Sequence, residues 1–209
     1  MLQPQLTSAQ RRIYNAAIYL FAEKGSTQVT VSELADTAGV ARGTIYNHVD
    51  SVQTLFEDVA VHLANEMNQR ILSALRQQQD PALKLATGVR HYIRRAHEDP
   101  AWGNFISRFG FSSAALRRLG SGAPMQILMD GVQTGQYRIR ADQLSAVITM
   151  IGSSVLGAIY LVREGLRTWR DAGTDCAELL LRALGVSEER ARALATAELP
   201  PLPEPRIQS

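Results

Sequence analysis

Apolar residues recur at helical spacing along most of the chain. Ile13, Ala16, Ala17, Leu20 and Phe21 lie at offsets of three and four, giving one apolar stripe on a helix from Thr7 or Ser8 to Lys24. Ser8 can cap its start, and Gly25 can take the left-handed position past its end. Thr30-Val31-Ser32-Glu33 is the pattern of a capping box, in which the Thr30 hydroxyl accepts the amide of residue 33 and the Glu33 carboxylate accepts the amide of residue 30. The short helix it opens runs through Leu34, Ala35 and Ala38 to Gly39 and Val40, and another short segment follows from Arg42 to His48. Ser51 can cap a longer helix with Leu55, Val59, Leu63 and Met67 at four-residue spacing and Phe56 on the buried side.

Beyond residue 80 the prolines act as punctuation. Pro81, Pro100 and Pro124 suit first helical turns, and the apolar pattern predicts helices near 82–98, 101–110, 112–119, 124–135, 141–166 and 173–184, the last stopped by Gly185. No stretch alternates apolar and polar residues over strand length, so the fold class is all-α. Pro200, Pro201, Pro203 and Pro205 mark an extended, weakly ordered tail. Leu144 to Val162 carries no formal charge and falls within membrane-span length, but Ser145, Thr149, Ser153, Ser154, Gly152 and Gly157 interrupt it. A helix buried in a core or between subunits is the favoured reading, and no membrane partner is expected.

Composition narrows the class. The 209 residues are 45% apolar and 20% charged, enough for a sizeable core and too apolar for a disordered chain. Cys176 has no second cysteine to pair with, and residues Met1 to Gln10 lack the basic and apolar regions of a secretory signal, so a cytoplasmic location is expected. The net charge is +2, with Lys24 and Lys84 the lysines among many arginines. Guanidinium groups suit phosphate and ordinary surface pairs equally, so charge alone does not separate these uses.

The segment from Thr30 to Val49 carries the chemistry. Two helices crossing steeply need a small residue at their contact, a glycine in the turn and apolar anchors on the second helix; Ala35, Gly39, and Val40 with Ile45 supply them. With Ile45 and Val49 turned inward, Arg42, Thr44, Tyr46, Asn47 and His48 project from the other faces. Arginine and asparagine can read base edges, threonine a base or a thymine methyl, and tyrosine and histidine phosphate oxygens; Gly43 allows close approach. Tyr46 fits packing as well as it fits a phosphate contact, and a solvated short helix is the bland alternative for the group.

Phe21-Ala22-Glu23-Lys24-Gly25, followed by the run from Thr30 through Ala35, Gly39, Arg42, Gly43, Thr44, Ile45, Tyr46 and Asn47 to Val49, resembles the DNA-binding region of TetR-family transcriptional regulators over about residues 10–60. The resemblance implies a homodimer that binds a palindromic DNA operator, represses transcription, and is released by a small-molecule effector held in a larger helical domain. Thr30, Arg42, Gly43, Thr44, Tyr46, Asn47 and His48 are then the DNA-facing candidates. Three departures stand out: Val49 replaces a common aromatic residue, Val52 a common phosphate-binding lysine, and Ala41 a common hydroxyl cap. The expected organisation is a DNA-binding domain over 1–55, a regulatory and dimerisation domain over 56–198, and a tail over 199–209.

In the larger domain Met67, Tyr92, Trp102, Phe105, Phe109, Met125, Met129 and Tyr160 are candidates to surround an apolar or amphipathic effector, with ordinary core packing the competing reading for each. Gly152, Leu156 and Ile159 on one helix, and Cys176, Leu180, Ala183 and Leu184 on another, are the candidate dimer contacts of a four-helix interface. His62, His91 and His97 lack metal-ligand spacing, and Arg90, Arg94 and Arg95 read as a solvated helix face before a second nucleic-acid patch. No metal, cofactor or catalytic site is expected. A helix-turn-helix fused to an enzyme would need a phosphate loop or nucleophile elbow that the chain does not show, and a ligand-independent architectural protein is the third alternative.

Overall fold

The computed structural model describes residues 6–113 and 122–203, with all their side chains except that of Gln53. Every α-helix that the apolar spacing predicts within those residues is present, and no strand occurs among them. Helices α1 (Ser8–Lys24), α2 (Val31–Ala38) and α3 (Arg42–His48) form the amino-terminal unit. Helix α4 (Val52–Ala74) leads from it into α5 (Pro81–Glu98), α6 (Pro100–Phe109), α7 (Ala123–Gln133), α8 (Leu144–Arg163), α9 (Trp169–Ala183) and α10 (Glu188–Thr196). A single 3-10 turn, Ala141–Gln143, precedes α8.

Side-chain caps set several of these boundaries. Thr7, rather than Ser8, caps α1: its hydroxyl accepts the Gln10 amide at 3.2 Å while the Gln10 side-chain oxygen accepts the Thr7 amide at 2.9 Å. Asp80 and Asp99 accept amides from the first turns of α5 and α6, where Pro81 and Pro100 have no N–H to lose. Asp99 also closes α5, so the chain turns sharply there. Gly103 permits that corner, because a Cβ on it would stand 2.8 Å from the Ala96 carbonyl oxygen.

Two packed regions result. Phe21 of α1, Phe56 of α4, and Phe105 and Phe109 of α6 form one aromatic cluster, with ring centroids 5.4 Å apart for Phe21–Phe56 and 4.9 Å apart for Phe56–Phe109. Each such ring contributes about 1.5–3 kcal/mol by burial, which fastens the amino-terminal unit to α6. Helix α5 runs through the second region and packs against α6, α7, α8, α9 and α10. Its buried residues, Ala82, Leu85, Ala86, Val89, Ile93 and Ala96, meet Ala172, Ala177, Leu180 and Leu181 of α9 in the same core.

The structure corrects several expected boundaries. Helix α9 begins at Trp169 instead of 173, because the Thr168 hydroxyl caps it by accepting the Asp171 amide at 3.1 Å. Helix α8 stops at Arg163 instead of 166, ahead of Gly165 at φ 69°. Helix α10 was not expected; its signal is Ser187 followed by Glu188 and Glu189 in the first turn and by buried Ala191 and Ala195 at four-residue spacing. The expected helix over 112–119 lies outside the described residues beyond residue 113, as does the tail beyond residue 203. The chain into that tail is strapped down on both sides of residue 199: Arg90 donates to the Ala197 carbonyl at 2.6 Å, and Arg70 to that of Pro203 at 2.8 Å.

Candidate nucleic-acid interface and effector cavity

The capping box of α2 forms as its sequence predicts: Thr30 accepts the Glu33 amide at 3.2 Å, and Glu33 accepts the Thr30 amide at 2.9 Å. Lys24 pairs with the same carboxylate, and the Lys24 and Thr30 hydrogen bonds hold the Glu33 carboxyl down at about 2. At the other end Gly39 adopts φ 61°, its amide reaches Asp36 and the Val40 amide reaches Ala35, closing α2. Arg12 of α1 donates to the Gly39 carbonyl at 2.6 Å, so the turn between α2 and α3 is pinned to α1.

Helix α3 then presents two opposite surfaces. Ile45 and Val49 are buried with Leu34, Ala35 and Ala38, whereas Arg42, Gly43, Tyr46 and Asn47 are exposed and Thr44 and His48 half-exposed. Tyr46 keeps 69% of its surface and so is not a packing residue in this chain. Thr30 is exposed at the start of α2. Ala41 makes no side-chain cap, as its lack of a hydroxyl requires, and Val49 and Val52 both turn toward the core. The exposed face therefore brings together a guanidinium, an amide, two hydroxyl groups and an imidazole with no buried counterpart to satisfy first. Groups of these types can hydrogen-bond the edges and backbone of a duplex.

A cavity of about 270 Å³ lies between α4, α5, α6, α7 and α8. Ile71, Leu85, Val89, Ile106, Ile127, Ile148, Ile151 and Val155 line it together with Phe111, and its polar side chains are Asn68, Lys84, Tyr92 and Thr149. The Tyr92 hydroxyl donates to Asn68 Oδ1 at 2.9 Å, and burial pushes the phenol far above its ordinary value. Thr149 spends its hydroxyl on the Ser145 carbonyl at 2.9 Å.

Of the eight residues expected around an effector, Tyr92 lines this cavity and the others do not. Met67, Trp102, Phe105 and Phe109 are buried core residues; Trp102 backs the cavity by packing on Tyr92 with ring centroids 6.0 Å apart. Met125, Met129 and Tyr160 lie off the cavity, the last two exposed. Aromatic and methionine side chains mark burial, and burial against a core has the same spacing as burial against a ligand. The residues overlooked, Asn68 and Lys84, were visible in another way: Lys84, Gly88 and Tyr92 recur every four residues on α5, and Asn68 shares a face with Ile71 and Leu72 on α4.

The candidate dimer residues are also redistributed. Ile159, Cys176, Leu180 and Leu184 are buried inside the protomer, and Gly152 and Leu156 line the cavity; Ala183 alone of the seven is exposed without bordering it. Helix α8 is apolar on more than one face, so its periodicity did not show which face meets its own core. With the 3-10 turn it is also the segment among the described residues that is long and apolar enough to cross a membrane. In the fold Val147, Ile151, Ala158, Ile159 and Val162 pack inward, while Met150, Ser153, Gly157, Tyr160 and Leu161 stay open. Leu179 of α9 is exposed as well.

Among the described residues no group of His, Cys, Asp and Glu side chains is arranged to hold a metal ion. Burial pushes the Cys176 thiol up to about 12, which leaves it an unreactive packing group. His91 is enclosed in the core and its pKa falls to about 4. Arg94 and Arg95 make ion pairs to Glu98 and Asp99 at 2.7 and 3.0 Å, and so behave as a helix face with its own counterions.

Comparison with known proteins agrees with this geometry. Residues 13–59 match the model of the tetR family of bacterial regulatory proteins, and residues 80–197 match that of the tetracyclin repressor-like C-terminal domain. The crystal structure of RolR in complex with resorcinol is 26% identical, with 93% of this chain and 96% of that chain covered at a TM-score of 0.70. FadR from Bacillus subtilis in complex with stearoyl-CoA shares the fold at a TM-score of 0.71, with 20% identity and 82% and 97% of the two chains covered. An uncharacterized HTH-type transcriptional regulator of Mycobacterium tuberculosis is 26% identical over 93 residues, 44% of this chain and 46% of that protein. The HTH-type transcriptional repressor KstR2 of Rhodococcus jostii is 36% identical over 47 residues, 22% and 23% of the two chains. The chain thus spans less than half the length of the curated relatives it matches. With both of its regions matched, the chain belongs to the TetR family and is a transcriptional regulator with a helix-turn-helix DNA-binding domain.

Proposed function

We propose that this regulator is a homodimeric repressor that binds a palindromic operator and leaves it when a small molecule occupies the cavity between α4 and α8. The observation that carries the reading is the double role of α6. Its Ile106 lines the cavity, while Phe105 and Phe109 on the same helix pack against Phe21 and Phe56 beneath the DNA-binding unit. Helix α4 adds a second link, since its first residues follow α3 and its Asn68, Ile71 and Leu72 border the cavity. A ligand that displaces α6 or α4 changes the setting of α3, and a coupling of about 1–3 kcal/mol is enough to shift operator affinity 5- to 150-fold.

Dimerisation supplies the lever. Two recognition helices must reach successive major grooves about 34 Å apart, so a small change in the angle between protomers ruins the fit. Met150, Ser153, Gly157 and Leu161 on α8, with Leu179 on α9, are the residues we assign to the partner face, because they are apolar or small and open in the protomer. Residues 1–55 would form the DNA-binding part and 56–198 the regulatory part of such a molecule, working in the cytoplasm beside the chromosome. The repressor name of KstR2 and the ligand of RolR support the same reading by similarity.

The test is a mobility shift with purified full-length protein on DNA flanking its own gene. A shift that weakens with salt and is lost in Arg42→Ala or Tyr46→Ala is the expected result. Failure to bind any of those fragments overturns the repressor reading.

A further inference from the structure

Resting on that reading of the cavity, we infer that the effector is a two-ended amphipathic acid: its carboxylate sits on Lys84 at the mouth, its apolar body fills the cavity, and a neutral hydroxyl group sits on Asn68 and Tyr92. Lys84, Gly88 and Tyr92 occupy one face of α5, and the eight residue steps from Lys84 to Tyr92 span about 12 Å of helix axis. A single small ring cannot touch both ends. The rest of the lining is mostly aliphatic, with Phe111 the aromatic member and the Thr149 hydroxyl donated to Ser145, so the polar discrimination lies chiefly at the ends.

The inner end is built for a neutral oxygen. The Tyr92 hydroxyl donates to Asn68 Oδ1 at 2.9 Å, which leaves the Asn68 amide nitrogen without an acceptor among the described residues and the Tyr92 oxygen able to accept. A ligand hydroxyl accepts from the first and donates to the second. A carboxylate there would be buried beside a protonated phenol with no lining cation, a costly arrangement.

The outer end is built for an anion. Lys84 is half-buried and forms no ion pair among the described residues, and Asp80, one turn before it at the cap of α5, is paired with Arg190 at 3.0 Å. It borders both the main cavity and a second depression at its mouth, shared by Leu72, Ala123 and Ile127 and carrying Arg76, Gln126 and Asp130. Arg76 also makes no ion pair among the described residues, whereas the Asp130 carboxylate accepts from the Gln126 side-chain nitrogen at 2.7 Å. The mouth thus holds two cations, Lys84 and Arg76, against one carboxylate, a net positive charge of one. A half-buried ammonium against an apolar wall gains most from an anion brought by the ligand.

Calorimetric titration of the full chain with decanol, decanoate and ω-hydroxydecanoate tests this. The hydroxy acid is expected to bind tightest. Lys84→Met should weaken both acids by about tenfold or more while leaving decanol within about twofold, Lys84→Arg should keep acid binding, and Asn68→Leu should bring the hydroxy acid down to the affinity of decanoate. Lys84 makes no side-chain bond that the fold needs, so Lys84→Met stays folded. Decanol binding as tightly as the acids, acid binding indifferent to Lys84→Met, or no binding of any probe would overturn the inference. The repressor reading is judged separately, by operator retention of the unliganded protein, so either can fail while the other stands.

Discussion

Ile45 and Tyr46 are adjacent on α3 and should separate stability from DNA affinity cleanly. Ile45 is 1% exposed among Leu34, Ala35 and Ala38, and truncation to alanine costs about 2–5 kcal/mol through lost burial and the cavity left behind. At about 2–4 °C per kcal/mol for a chain of this size, Tm falls by roughly 4–20 °C. Tyr46 is 69% exposed and makes no hydrogen bond among the described residues, so Tyr46→Ala should change stability by no more than about 0.5 kcal/mol. If Tyr46 meets the duplex, its loss costs about 1–3 kcal/mol of operator binding, or 5- to 150-fold in Kd. Thermal melts and fluorescence anisotropy on one operator duplex at fixed salt give both quantities. A large Tm loss in Tyr46→Ala, or unchanged affinity at unchanged stability, refutes the assignment of the exposed face of α3 to DNA.

Other outcomes follow from the same structure. His91 is buried with both ring nitrogens unpartnered and is held near 4 by burial and by Arg94, Arg90 and Arg70, with Glu98 opposing. Its folded pKa lies below the unfolded value of about 6.5, so the unfolded state binds the extra proton and stability is lost as pH falls from 6.5 toward 4, by about 3 kcal/mol in all. His91→Leu should flatten that slope in urea titrations across the window, and an unchanged slope would assign the acid sensitivity elsewhere. Gly39→Ala forces a side chain into φ 61° beneath the Arg12 guanidinium and should cost about 1–2 kcal/mol, read as a lower urea midpoint at unchanged m-value. Leu161→Glu places a charge on the open face of α8 and should yield monomers by sedimentation that bind operator weakly; a dimer unaffected by it means that another surface pairs.

The amino-terminal unit was legible because its determinants are local. Thr30 and Glu33 reach each other within one turn, Gly39 relieves its own backbone, and Ile45 and Val49 differ from Tyr46 and Asn47 simply by helical phase. Each of these interactions spans only a few residues, so order and spacing in the chain are enough to specify it. The larger domain is different. Trp102, Phe105 and Phe109 signal burial in any context, and only packing reveals that Phe105 and Phe109 bind the two units together while Trp102 backs the cavity. Helix α8 has several apolar faces, and the approach of α5, α6 and α9 decided that Ile159 turns inward and Leu161 outward. Asn68 and Lys84 are twenty-four and eight residues from Tyr92 along the chain. They became one site because α4 folds back beside α5, a juxtaposition set by long-range burial, which periodicity within a single helix cannot encode.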